Sequence, residues 1–319
     1  MTQQLPMRLS NFPVMFFAVV MGFGGLSLAW AKAHELLGIT PLVGTVLSWL
    51  SLALFGTIAG FYIAKSIRYP STLPHEFAHP VRVNFFAAIS ISLLILSMLE
   101  PAKQLRIDTL FWWSGLIMQS FLTLHVIRFW IERALETHHS SPAWFIPVVG
   151  NLIVPVSGVA HAPFGVLYFY FSVGIFFWLI LFAILGYRLI FHPQMAQKFI
   201  PTLFIFIAPP AVGLLDYLKL FGTLDAVAAA FYNLALFFVL LLAFMYRRFF
   251  KLPFFISWWA FTFPLAAMTL ATLVLLEKTA HPLFWPASWA MLGATTLMVG
   301  IVSYQTLRAI ARREICIQE

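Results

Sequence analysis

The segment from His75 to His79, with the sequence HEFAH, has the residue types and spacing of a zinc hydrolase site. In an H-E-x-x-H helix the two imidazoles lie one turn apart and bind Zn²⁺, while the glutamate acts as the general base. Pro74 and Pro80 flank the motif directly, which limits a helix there to two turns, and no third ligand is evident. We interpret the segment as a short helical lead-in to the next helix, with intramembrane metalloprotease chemistry as the alternative.

Two other groups of residues could carry chemistry. Gly22, Gly24 and Gly25 resemble a phosphate-binding loop, but no Lys-Ser/Thr pair follows them, so a small-residue face for close helix packing is the better interpretation. Asp216 is an acidic residue deep in an apolar run, and Lys219 follows three residues later. This spacing predicts an ion pair at the level of the membrane surface, and a functional intramembrane acid is the alternative.

The composition assigns the chain to the membrane. Of its 319 residues 62% are apolar and 9% are charged, and the mean hydropathy is +0.93, whereas soluble domains carry about 25% charged residues. A helical crossing takes about 20 apolar residues, so ten crossings use most of the chain. We expect one transmembrane domain over residues 1–319, no enzymatic activity, and no cofactor or metal. Cys316, the single cysteine, cannot form an intramolecular disulfide.

Apolar runs between Pro, Gly and charged residues predict an all-α membrane protein with ten spans arranged as five helical hairpins. We number these spans 1 to 10 in chain order, at residues 12–34, 43–64, 81–99, 107–131, 143–160, 164–187, 201–218, 226–246, 254–276 and 285–307.

The distribution of basic residues predicts the orientation. Five of the nineteen Lys and Arg residues fall on one side of the ten spans, namely Lys32, Lys103, Arg106, Lys219 and Lys278. The other fourteen, including Arg8, fall on the opposite side. Basic residues near span ends stay in the cytoplasm, so we expect both termini to be cytoplasmic in a plasma (inner) membrane. The net charge of +8 then reflects topology and anionic lipid, and it requires no nucleic-acid partner.

Prolines concentrate in the odd-numbered spans, at Pro147, Pro155, Pro209, Pro210 and Pro264, while spans 2, 4, 6 and 8 have none inside. A proline within a helix removes one backbone donor and frees a carbonyl that lipid cannot satisfy. We therefore expect kinked odd helices to form an inner ring around a central axis, with straight even helices outside. Simple packing kinks are the alternative.

Four short segments carry a family resemblance: HPVRVNFF at 79–86, VVGN at 148–151, APPAV at 208–212 and SWWAFTFP at 257–264. Together they resemble the plant guard-cell slow anion channel and its bacterial relative, tellurite-resistance protein TehA. The resemblance implies a homotrimer of independent pores, each lined by the five odd helices and passing small anions such as chloride and nitrate. It also implies that Phe263 blocks the pore. Carriers of malate or other dicarboxylates belong to the wider family, so the substrate stays open.

The position of Phe263 agrees with a gate. It lies nine residues into span 9, or about 14 Å at the rise of an α-helix, close to the membrane midplane. A phenyl ring there closes a narrow path sterically and by dewetting, and Pro264 beside it predicts a hinge that lets the ring swing aside. A core phenylalanine, among 35 in the chain, is the alternative.

A channel should have a pore almost free of fixed charge. We predict that the pore is lined by small and neutral polar residues of the odd spans, namely Gly24, Asn84, Ser90, Asn151, Pro155, Pro210 and Thr262. Arg82 is predicted to concentrate anions at the cytoplasmic mouth, or to act only as a topology signal. A carrier of C4-dicarboxylates or of tellurite-related oxyanions would instead need a basic residue and an acid at the midplane, and the odd spans lack a basic residue at that depth.

Overall fold

The computed structural model describes residues 9–316, and this range contains helices and no β-strand. Arg8 lies outside the described residues. The α-helices, in chain order, are α1 (Phe17–Leu37), α2 (Leu42–Arg68), α3 (Thr72–Ala78), α4 (Ala87–Met98), α5 (Glu100–Gln104), α6 (Asp108–Glu132), α7 (Phe145–Val149), α8 (Ile153–Gly158), α9 (Phe164–Phe191), α10 (Ala208–Phe221), α11 (Ala226–Phe244), α12 (Tyr246–Phe250), α13 (Thr262–Thr279) and α14 (Phe284–Ala311).

Every predicted odd span contains 3₁₀ helix in its N-terminal half, whereas the even spans are continuous α-helices (α2, α6, α9, α11 and α14). The 3₁₀ segments of the odd spans are Val14–Phe16, Arg82–Phe86, Pro142–Trp144, Gly150–Leu152, Gln197–Ile207 and Ile256–Phe261. The two sets of helices therefore differ in backbone geometry. The two ends of the bundle differ in their number of lysines and arginines. We call the end at which the odd spans begin, where most of these residues lie, the basic end, and we call the other the opposite end.

Within residues 9–316, eight helices are long and apolar enough to cross a membrane, and a ninth candidate is the pair of α3 with Arg82–Met98, which is bent by 109°. They cover the predicted spans with shifts of a few residues at the ends. Span 5 corresponds to a shorter apolar stretch, Pro142–Gly158. The chain is thus a multi-pass helical membrane protein, and helix length and composition support eight or nine crossings.

The prolines do not interrupt α-helices as the sequence predicted. Each of the five occupies the second or third position of an α-helix: Pro147 in α7, Pro155 in α8, Pro209 and Pro210 in α10, and Pro264 in α13. Backbone N–H groups in the first turn have no partner within the helix, so a proline there costs no hydrogen bond. The expected kinks are therefore corrected to junctions, at which a new α-helix begins after 3₁₀ or non-α backbone.

Burial separates the long odd spans from the even ones. The buried share of an 18-residue apolar segment is 67% in Val14–Leu37, 83% in Gln197–Phe221 and 72% in Ile256–Thr279. In the five even helices the buried share is between 22% and 39%. Each even helix therefore presents a wide apolar face to the surroundings, such as Phe244 in α11, which is 87% exposed. Such faces suit lipid contact.

Helices that follow each other along the chain pack together: α1 with α2, α4 with α6, α10 with α11, and α13 with α14. Two of the turns begin at glycines in the left-handed region, Gly38 after α1 (φ 67°) and Gly222 after α10 (φ 72°). Asp225 caps α11 by accepting hydrogen bonds from the backbone N–H groups of Val227 and Ala228. A hydrogen bond from the Tyr217 hydroxyl, together with these N–H groups, holds the pKa of Asp225 below its usual range.

Candidate functional site

A narrow cavity of about 80 Å³ lies in the basic-end half of the bundle, and we call it the basic-end cavity. Its wall comes from stretches of the five odd spans, at 15–21, 85–91, 145–153, 202–212 and 256–264. No charged residue lies on the described wall, and its two hydroxyl side chains, Thr202 and Ser257, donate to the carbonyl oxygens of Phe199 and Lys198 at 2.6 Å. An ion in this cavity would therefore meet an almost wholly apolar wall.

A wider cavity of about 630 Å³ lies in the other half of the bundle, and we call it the opposite-end cavity. It is lined by the C-terminal parts of the odd spans and by the start of α2. In contrast to the basic-end cavity, its wall carries many charged side chains, namely Lys32, Lys103, Lys219, Lys278, Glu35, Glu100 and Glu277.

Three residues line both cavities: Phe263 of α13, Ile153 of α8 and Val212 of α10. Phe263 is half-buried, as expected of a side chain that borders open space on two sides. Measured from Ile256, Phe263 lies about 14 Å along the helix, since 3₁₀ residues rise about 2.0 Å each. These three apolar side chains therefore lie where the two cavities adjoin, and we call them the constriction.

Two glycines of α1 allow α13 to approach at this level. A Cβ atom on Gly25 would lie 3.3 Å from Cδ2 of Phe263 and 3.0 Å from Cβ of Ala266. One turn earlier, a Cβ atom on Gly22 would overlap the hydroxyl of Thr262, which donates to the carbonyl oxygen of Trp259 at 2.7 Å. The Phe263 ring is thus held against bare backbone of α1, at the junction where 3₁₀ helix changes to α-helix.

Comparison with known proteins identifies this arrangement. The model of the SLAC1 family, described as voltage-dependent anion channel, matches residues 11–307. The chain belongs to the SLAC1 family.

Relatives of this SLAC1-family chain occur in plants, bacteria and archaea. The S-type anion channel SLAH2 of Arabidopsis thaliana is 27% identical over 96% of this chain and 61% of its own length. The tellurite resistance protein TehA homolog of Haemophilus influenzae is 28% identical, over 80% of this chain and 79% of its own. An uncharacterized transporter of Methanocaldococcus jannaschii is 26% identical, over 83% and 84%. The chain thus spans about three fifths of the plant channel.

Most of the neutral residues predicted to line the pore lie elsewhere. Of the predicted pore residues, only Phe263 and Pro264 occur on a described cavity wall. Gly24 instead packs against α4, where a Cβ atom would lie 2.5 Å from Cγ2 of Ile95. Pro155 and Pro210 are buried within their helices, and Thr262 is turned toward α1. The residue singled out by the family resemblance thus lines both cavities, whereas the neutral residues singled out by type do not line either cavity as described.

The predicted polar residues of spans 3 and 5 satisfy one another inside the protein. Ser90 donates to the Gln119 side chain at 2.6 Å, and the Gln119 amide donates to the carbonyl oxygen of Pro147 at 2.9 Å. Asn151 donates to Thr123 at 3.0 Å and to the carbonyl oxygen of Val148 at 2.8 Å. Buried polar groups are costly unless hydrogen-bonded, so this network joins α6 to spans 3 and 5 and does not serve the cavity.

The remaining predicted polar residues of span 3 lie at the basic end. The Asn84 amide donates to the carbonyl oxygens of Pro80 and Val81 at 2.9 and 3.3 Å, so it closes the turn that begins the 3₁₀ segment. Arg82 is exposed, one turn before Phe85 on the wall of the basic-end cavity. Arg82 is therefore placed where a positive charge could act on an entering anion.

The zinc-like motif has a different use in the fold. Glu76 is buried and accepts hydrogen bonds from Lys65 Nζ and from the Tyr62 hydroxyl, both at 2.7 Å. Lys65 also donates to the carbonyl oxygen of Phe12 at 2.8 Å, which ties α2 to the segment before α1. His79 accepts from the backbone N–H of Val81 at 3.1 Å. The glutamate that a hydrolase would use as a base is therefore held in a structural ion pair.

The ion pair predicted between Asp216 and Lys219 at the membrane surface is wrong. Asp216 is fully buried, and neither carboxylate oxygen has a hydrogen-bond partner among the described residues. Lys219 turns toward α8, where its ammonium group donates to the carbonyl oxygen of Val156 at 2.5 Å. Residues three apart on a helix can meet, but here one points into the core and the other into the opposite-end cavity.

Sequence reasoning missed Ile153, Val212 and Gly25. In a chain this apolar, an isoleucine or valine at a constriction cannot be distinguished from one in the core, so no signal marked the first two. The sequence did indicate that Gly25 allows close helix packing, because it belongs to a glycine cluster interpreted as a packing face. The structure adds which helix each glycine faces: α4 for Gly24, and α13 for Gly22 and Gly25.

Proposed function

We propose that the chain is a channel for small monovalent anions such as chloride and nitrate, and that Phe263 closes its pore. The observation that carries this proposal is that Phe263, with Ile153 and Val212, lines both cavities. Removing one ring at that position would join two cavities that together extend through the bundle. Membership of a family of voltage-dependent anion channels supports the same function.

Selection in this pore rests on dehydration. The basic-end cavity offers apolar side chains, and its two hydroxyls are bonded to backbone carbonyls. An anion that sheds water easily crosses such a region at a lower dehydration free energy than a strongly hydrated one. A narrow apolar constriction also excludes water, which raises the barrier for strongly hydrated ions. Monovalent anions of low charge density should therefore pass most readily. Pro264, at the start of α13, is the proposed hinge for the ring.

We also propose the complete arrangement of the chain in the membrane. Spans 3 and 5 cross it with the eight long helices, giving ten crossings, five hairpins, an inner ring of odd spans and an outer ring of even spans. The burial contrast between the two sets supports the rings. Both termini and the basic end face the cytoplasm of a plasma (inner) membrane, and the chain assembles as a homotrimer of independent pores.

The function is tested by reconstituting purified protein in planar bilayers and liposomes with gradients of chloride, nitrate or malate. A channel gives currents far above carrier turnover and reversal potentials that follow the chloride or nitrate gradient. Absence of any anion current from folded protein, both in the wild type and in a Phe263→Ala variant, would contradict the proposal. Covalent cross-linking in detergent followed by mass measurement tests the trimer separately.

A carrier of C4-dicarboxylates or tellurite-related oxyanions is the second candidate. The observation that favours it is the placement of Lys219 on a cavity wall near the fully buried acid Asp216, since carriers often combine a basic substrate ligand with an acid. Uptake of radiolabelled malate that saturates and stays at carrier rates, without chloride or nitrate current, would favour the carrier over the channel.

A further inference from the structure

The two cavities differ in fixed charge, so an anion meets different side chains depending on the end from which it enters. The described wall of the basic-end cavity carries no charge, while four lysines and three glutamates line the opposite-end cavity. An anion entering from the opposite end therefore meets ammonium groups before it reaches Phe263. An anion entering from the basic end meets none on the way to the same constriction.

Three of the four lysines have no carboxylate partner among the described residues. Lys32 is bound by Glu35 at 2.9 Å and by Glu277 at 3.0 Å, so these carboxylates offset its charge. Lys103, Lys219 and Lys278 have no carboxylate oxygen within 4.0 Å in residues 9–316.

The Lys219 ammonium group has N–H donors that no described hydrogen bond uses. It gives one hydrogen bond, to the carbonyl oxygen of Val156, and an ammonium group has three donors. Lys103 lines the same cavity, and its charge acts electrostatically on Lys219, as does the charge of the paired Lys32. Asp216 also acts on Lys219, but it is buried behind the wall and does not reach the ammonium within 4.0 Å.

The position of Lys219 relative to the constriction is fixed by α10. Lys219 follows Val212 by seven residues, or about 10 Å along an α-helix, and both residues line the opposite-end cavity. An anion held by Lys219 therefore lies about two helical turns from Val212 of the constriction. It can occupy the cavity without entering the narrow part of the pathway.

We propose that Lys103 and Lys219 form a binding site for a divalent oxyanion, which occupies the opposite-end cavity and blocks monovalent anion flow from that side alone. A divalent anion gains about twice the Coulomb energy of a monovalent one from the same two ammonium groups. It cannot follow the monovalent ions, because Phe263, Ile153 and Val212 offer no polar atom to replace its water. The block rests on the proposed channel function, while the binding site does not.

Sulfate is the probe for this site. Chloride current is recorded from single-orientation bilayers, in the wild type and in the more conductive Phe263→Ala, while sulfate is added to one side and then the other. The side is assigned by an impermeant thiol reagent on Leu105→Cys in a Cys316→Ser background, since Leu105 is 51% exposed between α5 and α6. We expect sulfate to reduce the current from the opposite end and to have little effect from the basic end.

The variants Lys103→Gln and Lys219→Gln should each raise the half-blocking sulfate concentration by about tenfold, equivalent to about 1.4 kcal/mol. Arg106→Gln is the matched control, because it removes a positive charge from the same end at a residue outside the described wall of the cavity. Arg106→Gln should change that concentration less than about twofold, because Arg106, although exposed to solvent like Lys103 and Lys219, does not line the cavity that holds the sulfate. Equal block from both sides, or a block that neither lysine variant changes, would overturn the proposal.

A melting-temperature assay separates this site from the channel function. Sulfate bound to the folded protein raises the melting temperature, and the double variant Lys103→Gln/Lys219→Gln should lose that rise. If no variant conducts chloride but the sulfate effect is present and lost in the double variant, the channel proposal fails and the site stands. If chloride is conducted and sulfate neither blocks nor stabilises, the site fails and the channel stands.

Discussion

Phe263 lies against Gly25, so closely that a Cβ atom on the glycine would be 3.3 Å from Cδ2 of the ring. This contact joins α1 to α13 at the constriction between the cavities. It also means that the ring rests on backbone, which cannot rotate out of its way as a side chain could. Motion of the ring is therefore coupled to the distance between these two helices.

Replacing Phe263 with alanine should increase chloride conductance by about tenfold or more while anion selectivity is kept, because the ring closes an otherwise open apolar path. The measurement is single-channel or macroscopic conductance in bilayers, beside the melting temperature in detergent. The melting temperature should change little, because the half-buried ring borders two cavities.

Phe261→Ala is the control for that experiment. Phe261 is 3% exposed and packs on Phe204, with ring centroids 4.7 Å apart, and on Phe249 at 5.8 Å. Deleting such a ring typically costs about 3–5 kcal/mol, so this variant should be less stable and no more conductive. Strong destabilisation without increased conductance in Phe263→Ala as well would show that Phe263 is an ordinary core residue.

The Gly25→Ala substitution should destabilise the closed constriction, because the added methyl group meets the Phe263 ring and Cβ of Ala266 at 3.0 Å. Overpacking of this kind costs about 1–3 kcal/mol. We expect part of the loss in melting temperature to disappear in the Gly25→Ala/Phe263→Ala double variant. Losses that simply add would mean that the glycine and the ring do not interact.

Arg82→Gln should lower conductance by about twofold or more near 10 mM salt, where the Debye length is about 30 Å, and should have little effect near 1 M, where it is about 3 Å. The control is Arg128→Gln, since Arg128 is already paired with Glu132 at 2.8 Å. Unchanged conductance at low salt in Arg82→Gln would leave Arg82 as a topology signal only.

Glu76→Gln should destabilise the protein by about 3–5 kcal/mol, because it leaves the Lys65 ammonium buried without a counter-charge. The Lys65 and Glu76 side chains are 2% and 8% exposed. The paired change Lys65→Met/Glu76→Leu should recover part of the stability. The melting temperature should not respond to zinc or to a chelator. A rise with zinc in the wild type that Glu76→Gln and His75→Ala abolish would restore the metal-site interpretation.

Orientation is tested with single cysteines in a Cys316→Ser background. Ala162→Cys, in the connection before α9, should react with an impermeant thiol reagent only from outside the cell. Ser71→Cys, in the connection before α3, should react only from the cytoplasmic side. The reverse pattern would invert the assignment of the basic end.

Eight of the ten predicted spans correspond to long apolar helices among the described residues, because helical membrane spans depend mainly on apolar runs and these runs are separated by clear polar or proline-rich breaks. The family resemblance directed attention to the SWWAFTFP segment, and Phe263 there does lie between the cavities. The assignment of Phe263 as a gate stays a prediction.

The wall of the pathway was harder to predict. Ser90, Asn151 and Thr262 were chosen because they can donate hydrogen bonds, but each donates to a group inside the protein. In a dry interior a short polar side chain satisfies the nearest carbonyl first, so residue type does not reveal the direction of the donor. The predicted ion pair between Asp216 and Lys219 was wrong for a related reason, since spacing along α10 does not show which neighbouring helix each side chain faces.

The 3₁₀ segments also change how far the odd spans extend. Pro142–Gly158 has 17 residues and would measure about 26 Å as an α-helix. Two 3₁₀ segments of three residues each add about 3 Å, because each such residue advances about 2.0 Å where an α-helical one advances 1.5 Å. The stretch then approaches the 30 Å thickness of a typical hydrocarbon core. A stretch that is too short by residue count is therefore almost long enough by distance, at the cost of weaker hydrogen-bond geometry in its 3₁₀ segments.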